Sequence, residues 1–188
     1  MKKSSKPKKA QMKKSAKQMF RLLEDVLLEA DLHNNSASWL ILGTGAVESQ
    51  YRYVEQIQGP ARSYWQVEPR TSYDNVHNFL MYRPELFKRI GNACSVSNNS
   101  IEHLHLDGHE RLLRYNIAFA ILMARLKFWR DPNPIPKTFD KMGDYWLGVY
   151  NTQGGKGTKD KWRLHWKNVI GFDVKDHTLK SAYKEYEN

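Results

Sequence analysis

A chain of 188 residues that is 40% hydrophobic and 27% charged can bury one core of ordinary size, and two full domains would be cramped in it. No apolar run approaches the roughly 20 residues that cross a bilayer, and the lysine-rich beginning lacks the apolar core of a secretion leader, so a soluble chain without a membrane span is expected. Cys94 is the single cysteine, which excludes an internal disulfide, and the net charge of +10 is concentrated at one end, where residues 1–17 hold eight lysines and no acid.

That basic segment, with Pro7 and several serines, cannot bury enough apolar surface to fold alone and is expected as a solvated tail. DNA, an acidic protein or an anionic wall polymer could meet it, and an arm without a specific ligand is the alternative. From Ala16 to Leu32 the apolar positions Met19, Leu23, Val26, Leu27 and Ala30 recur at three and four, which predicts an amphipathic helix. Ser36 can cap a second helix, whose residues Trp39, Leu40, Ile41, Leu42, Ala46 and Val47 cover every side, as in a buried helix. Gly43 and Gly45 within it predict the close approach of another backbone.

Residues 57–73 read as loop with at most a turn of helix or a short strand. Asp74 to Tyr82 and a segment opening at Pro84 read as short helices, and Gly91 to Asn99 as a polar connection. Glu110 to Trp129 carries Leu113, Ile117, Ala120, Ile121, Ala124 and Phe128 on one face and is predicted as the longest helix, stopped by Asp131-Pro132-Asn133-Pro134. Thr138 to Tyr150 and Lys159 to Val169 complete the helical segments, around the loop Gly154-Gly155-Lys156-Gly157. The fold class is therefore mainly α, with a tail at 1–17, a domain at 18–170 and a C-terminal tail at 171–188.

Glu48 is the residue that points to chemistry. It stands near the end of the buried helix, on the side of Ile41 and Gly45, where partial desolvation and the negative helix end both favour the protonated acid. A carboxylic acid that keeps its proton near neutral pH can protonate a leaving oxygen, the requirement for cleaving a glycosidic bond. A glutamate reaching water from a helix end is the alternative.

The surrounding pattern is Gly45-Ala46-Val47-Glu48-Ser49-Gln50-Tyr51, followed by Gly59-Pro60-Ala61-Arg62-Ser63-Tyr64-Trp65-Gln66-Val67-Glu68-Pro69-Arg70-Thr71. This resembles the soluble lytic transglycosylase family, relatives of goose-type lysozyme, in which a Glu-Ser pair ends a helix, an aromatic follows, and a Gly-Ala-x-Gly-x-x-Gln-x-x-Pro-x-Thr segment comes at similar spacing. Glu48-Ser49 and Tyr51 match the first part; Pro60-Ala61, Gln66, Pro69 and Thr71 fall where the second would place them. Asn116-Ile117 and Tyr150-Asn151 also look like the family, so the resemblance covers roughly residues 36–152. Ser63 and Trp65 depart from a usual glycine and a usual methionine, and Ala120 lies near another usual glycine. These departures bear on the shape of the sugar groove.

The resemblance implies a lysozyme-like helical fold without cofactor or metal, acting on peptidoglycan between N-acetylmuramic acid and N-acetylglucosamine. Glu48 would protonate the glycosidic oxygen and then act as base while the muramoyl 6-hydroxyl closes an anhydro ring. Ser49 and Gln66 would position acid and substrate, Tyr150 and Asn151 would complete the site, and Tyr51, Tyr64 and Trp65 would bind or position sugar, with burial of these rings as the alternative use. Hydrolysis, as by a muramidase, would ask for a second carboxylate, for which Glu55, Glu68 and Asp74 are within sequence reach. The basic-tailed chain is also similar to phage-encoded members, which implies a virion-associated enzyme that meets the host wall, with other virion proteins or DNA as partners of residues 1–17. A structural virion protein with an unused site, or a DNA-binding protein acting through the tail, are the competing functions.

Two further segments carry polar residues. Glu102-His103-Leu104-His105-Leu106-Asp107-Gly108-His109-Glu110 has the composition of a metal site but not the spacing, since His103 and His105 share a face only in a strand and His105 and His109 only in a helix; a polar surface loop is expected. Gly154 to Thr158 lacks the spacing of a phosphate loop and is expected to lie over the groove. Trp162, His165, Trp166 and Val169 recur at helical spacing and are expected to pack.

Overall fold

The structure is a computed structural model, and it describes residues 11–151 and 157–187. It is mainly helical, with ten α-helices among the described residues: α1 (Lys14–Glu29), α2 (Asn35–Glu48), α3 (Pro69–His77), α4 (Pro84–Cys94), α5 (Asn98–Glu102), α6 (Leu106–Tyr115), α7 (Ile117–Trp129), α8 (Phe139–Val149), α9 (Lys159–His165) and α10 (Leu179–Glu187). A 3-10 turn at Leu80–Tyr82 and a π turn at Trp166–Ile170 complete the regular structure. No strand occurs among these residues, only isolated bridges of Arg62 to Glu55 and to Val67.

Two helices form the centre. In α2 every residue from Ala37 to Ala46 is buried, and the helix packs against α1, α7, α8, α9 and the π turn. α7 is apolar on nearly every side and packs against α1, α2, α3, α4 and α6. The cap of α2 is Asn34 rather than Ser36: its side chain accepts from the Ala37 N–H at 2.8 Å. Gly43 and Gly45 admit aromatic rings rather than a second backbone. A Cβ at Gly43 would stand 2.6 Å from Trp162 and from Trp166, and one at Gly45 would stand 2.6 Å from the Tyr51 ring.

Three further expectations are corrected. The helix expected over Glu110–Trp129 is two helices, because Asn116 leaves helical geometry, caps α7 through the Phe119 N–H (2.9 Å) and donates to the Cys94 carbonyl (2.9 Å). α3 begins at Pro69, inside the segment read as loop, since proline at the first helical position forfeits no hydrogen bond. The segment 171–188 does not hang from the domain as a tail, because Phe172, Val174 and Ala182 are buried and Tyr183 donates to Glu24 of α1 at 2.7 Å. Of the tail expected over 1–17, the described residues are tied down as well: Met12 and Ala16 are buried, the Lys13 N–H reaches the Ile170 carbonyl at 2.8 Å, and α1 begins at Lys14.

Candidate active site

Glu48 is the last residue of α2, so a helix buried from Ala37 to Ala46 delivers its carboxyl group to the end where that helix reaches solvent. The chain then reverses sharply, with Gln50 and Tyr51 both at positive φ (56° and 55°), a conformation costing about 1 kcal/mol or more per residue without glycine. Ser49 fixes this reversal. Its hydroxyl donates to the Tyr64 carbonyl (2.7 Å) and accepts from the Tyr51 N–H (3.1 Å), which joins the end of α2 to the irregular segment 52–67.

That segment is held by backbone bonds from Ser63 to Val54 and between Arg62 and Val67, and by Trp65, whose indole donates to the Ile41 carbonyl at 2.9 Å. Ser63 takes φ 67°, the left-handed region that favours glycine. Gln66, also left-handed at φ 49°, donates to the Ser63 carbonyl at 2.7 Å. Its place is set by this turn.

Glu48, Ser49, Gln50 and Gln66 line one cleft with Tyr53, Glu55, Gln56 and Ile57, and its volume is about 310 Å³. Glu48 is partly buried there, and its Oε1 accepts the Trp146 indole N–H at 3.0 Å. Burial pushes its carboxyl group up to about 7, against the Trp146 hydrogen bond and the charges of Lys127 and Lys161, which favour the ionised form. Lys127 is held nearby, donating to the Tyr150 carbonyl at 2.7 Å with its ammonium 4.1 Å from the Tyr150 ring centre. The group can thus exist in both protonation states near neutral pH, and each state has a stabiliser in the fold.

The structure brings together Glu48, Ser49 and Gln66. It does not bring the aromatic residues to the cleft. Trp65 is fully buried and pins the turn to α2, so it has no face to offer a sugar. Tyr51 donates to the Leu42 carbonyl (2.8 Å), and with Tyr64 it lines a neighbouring cavity of about 280 Å³ beside Met19 and Val169, which shares Gln50 with the cleft. Tyr150 is buried and spends its hydroxyl on the Trp65 carbonyl at 2.7 Å, so it supports the turn from behind. Asn151 closes the end of α8 by a backbone bond to Trp146 and does not line the cleft. The aromatic ring on the cleft is Tyr53, about half exposed and beside the exposed Ile57.

Of the acids considered as a second carboxylate, only Glu55 lines this cleft, and it is paired with Arg114 of α6. Asp74 is engaged by Asn78 (2.7 Å) and Arg130, which hold it below the usual carboxylate range. Glu68 acts electrostatically on Lys127. Trp146, Lys127 and Tyr53 were not singled out from sequence. A lysine that, with Arg125, is one of two charges in the otherwise apolar stretch Ala124–Trp129 was the available signal for Lys127, and the i, i+4 spacing of Trp146 and Tyr150 for the tryptophan.

The histidine-rich segment is a surface loop only at His103–His105, between α5 and α6. Its second half is α6, and His109 is fully buried with Nδ1 at 2.9 Å from the Ser72 hydroxyl; burial and His77 pull its pKa down to about 4. Among the described residues no three His, Cys, Asp or Glu side chains are grouped to hold a metal ion. Cys94 is buried, which pushes its thiol up to about 12. Trp162 and Trp166 are buried as packing residues. The loop expected to cover the groove falls largely at residues 152–156, outside the described residues, as do residues 1–10 of the basic tail. No helix among the described residues is long and apolar enough to cross a membrane.

No family model, curated protein or solved structure matches this chain.

Proposed function

We propose that this chain cleaves the glycosidic bond between N-acetylmuramic acid and N-acetylglucosamine in peptidoglycan, with Glu48 as the acid and then the base. The observation that carries the reading is a glutamate at the end of a buried helix that opens onto a cleft, accepts one indole N–H, and is raised by burial to about 7. Protonated Glu48 gives its proton to the glycosidic oxygen as the bond to the muramoyl anomeric carbon breaks. The Trp146 N–H and the Lys127 charge then stabilise the carboxylate that remains. That carboxylate removes the proton of the muramoyl 6-hydroxyl, whose oxygen bonds to the anomeric carbon, and Glu48 returns to its starting state with an anhydro sugar as product. Gln66, held by its turn, supplies an amide to the cleft, and Tyr53 supplies a ring face to a sugar.

The position of Glu55 on the same cleft favours one specific alternative, attack by water instead of the 6-hydroxyl. Both versions leave the basic-tailed protein as a wall-cleaving component delivered by a bacteriophage particle, a part of the proposal that rests on its similarity to phage-encoded members. Digestion of purified peptidoglycan followed by mass spectrometry tests the reading. The wild-type protein is expected to release muropeptides with anhydro ends, and Glu48→Gln to lose at least about 100-fold in rate while remaining folded. Reducing ends in place of anhydro ends would assign the water reaction. Equal rates for the two proteins would remove Glu48 from the chemistry, and inactivity of both would leave a structural protein.

A further inference from the structure

A second cavity, of about 360 Å³, shares no lining residue with the Glu48 cleft. It is formed by the end of α7, the turn after it and the start of α2, and its wall contains Arg125. This arginine is only 2% exposed. Its Nε donates to the Leu32 carbonyl at 3.2 Å, while its terminal nitrogens make no hydrogen bond and meet no carboxylate within ion-pairing distance among the described residues. A guanidinium taken out of water costs several kcal/mol unless charged or multiple partners repay it, and one carbonyl leaves most of its planar fork of donors unspent. Burial pulls its pKa down to about 10, so it still carries its charge at neutral pH.

The neighbours add to the case. The Arg125 guanidinium carbon lies 4.8 Å from the centre of the Trp129 ring, and Trp129 is 45% exposed on the same cavity. Lys137 stands exposed on the rim and forms no ion pair among the described residues. The one acid in the lining, Asp131, already has its Oδ1 engaged by the Tyr145 hydroxyl (3.2 Å) and the Asn133 N–H (2.9 Å). The volume is that of a small-molecule site. We propose that this cavity binds a small organic anion, a carboxylate or a phosphate monoester on a flat or apolar group. The Arg125 fork receives the anionic oxygens, Lys137 adds attraction at the mouth, and the face of Trp129 carries the apolar part.

Phenyl phosphate, benzoate and the neutral benzyl alcohol, titrated separately into the full-length chain, test this through the indole N–H resonance of Trp129. It is the one exposed tryptophan of six, so the five buried indoles report whether the fold is intact. At least one anion is expected to shift the Trp129 signal saturably, with half-saturation at about 1 mM or below and at least about tenfold below that of benzyl alcohol. Benzoate alone would assign a carboxylate ligand, phenyl phosphate alone a phosphate ester, and both together a site for either anion. Lys137→Glu is expected to weaken the anion about tenfold and Arg125→Gln to abolish saturation. If Arg125→Gln loses native indole dispersion, Lys137→Glu decides. An alcohol that binds as well as the anions, titrations that do not saturate, or an affinity untouched by Lys137→Glu would overturn the proposal. None of these readouts depends on wall cleavage.

Discussion

Glu48 holds its proton because its surroundings are a poor substitute for water. The Trp146 N–H, Lys127 and Lys161 all favour the carboxylate, yet burial outweighs them and the group is raised from 4.5 to about 7. Folding therefore takes up a proton between these two values, and the acid contributes least to stability once the pH has risen through 7, where the folded chain must hold a charge it resists burying. Glu48→Gln removes that charge and keeps an acceptor for Trp146. The variant is expected to gain about 1–2 kcal/mol, or about 3–6 °C in Tm, at pH 8. The gain should shrink as the pH falls and vanish below about 4.5, which thermal unfolding across pH would show. An inactive variant that is also more stable at alkaline pH is the signature of a strained acid, and a gain independent of pH would deny it. Glu48 and Ser49 could be read from sequence because the buried pattern of α2 stops at them. Trp146 could not, since it arrives from 98 residues away and only the fold brings it to the carboxyl group.

At the scale of the elements, α2 is positioned by what its glycines admit. The rings of Trp162 and Trp166 lie against Gly43, so a methyl group there has no room, whereas a Cβ at Gly148 of α8 meets nothing within 4 Å. Gly43→Ala is expected to cost about 1–3 kcal/mol by overpacking, and Gly148→Ala to add about 0.5–1 kcal/mol by restricting the unfolded chain. Denaturant unfolding of the pair checks both signs, and a destabilising Gly148→Ala would show that the α8 backbone is not free to take a side chain. The glycines were visible in the sequence as points of close approach, but not the identity of what approaches, because periodicity carries no information about partners distant in the chain. The break at Asn116 was hidden for a related reason. Apolar spacing runs through it without interruption, and only the capping chemistry of asparagine separates α6 from α7. For the aromatic residues after Glu48 the sequence left sugar binding and burial both open, and the fold decides for burial, since Tyr51 and Trp65 spend their polar atoms on backbone carbonyls of α2.

Across the whole molecule, both described ends of the chain close onto α1 and the core. Phe20 of α1 packs against Tyr183 and Tyr186 with ring centres 5.6 and 4.8 Å away, and Glu24 accepts the Tyr183 hydroxyl. Removing residues 175–188 uncovers Phe20 and Trp39 and is expected to cost about 2–4 kcal/mol, read as a lower unfolding midpoint. An unchanged midpoint would mean that α10 adds nothing to the domain. The segment 171–188 was set apart from the domain on sequence because its apolar residues are sparse, and their partners on α1 lie far away in the chain. The mainly helical class and the central helix were legible, because composition and periodicity act within one segment.

All the chemistry converges on one ionisation, and it can be watched directly. Titration of the Glu48 side-chain carboxyl carbon by carbon-13 NMR, assigned by its disappearance in Glu48→Gln, is predicted to give a midpoint near 7. A midpoint near 4.5, the value of a glutamate in water, would contradict the account.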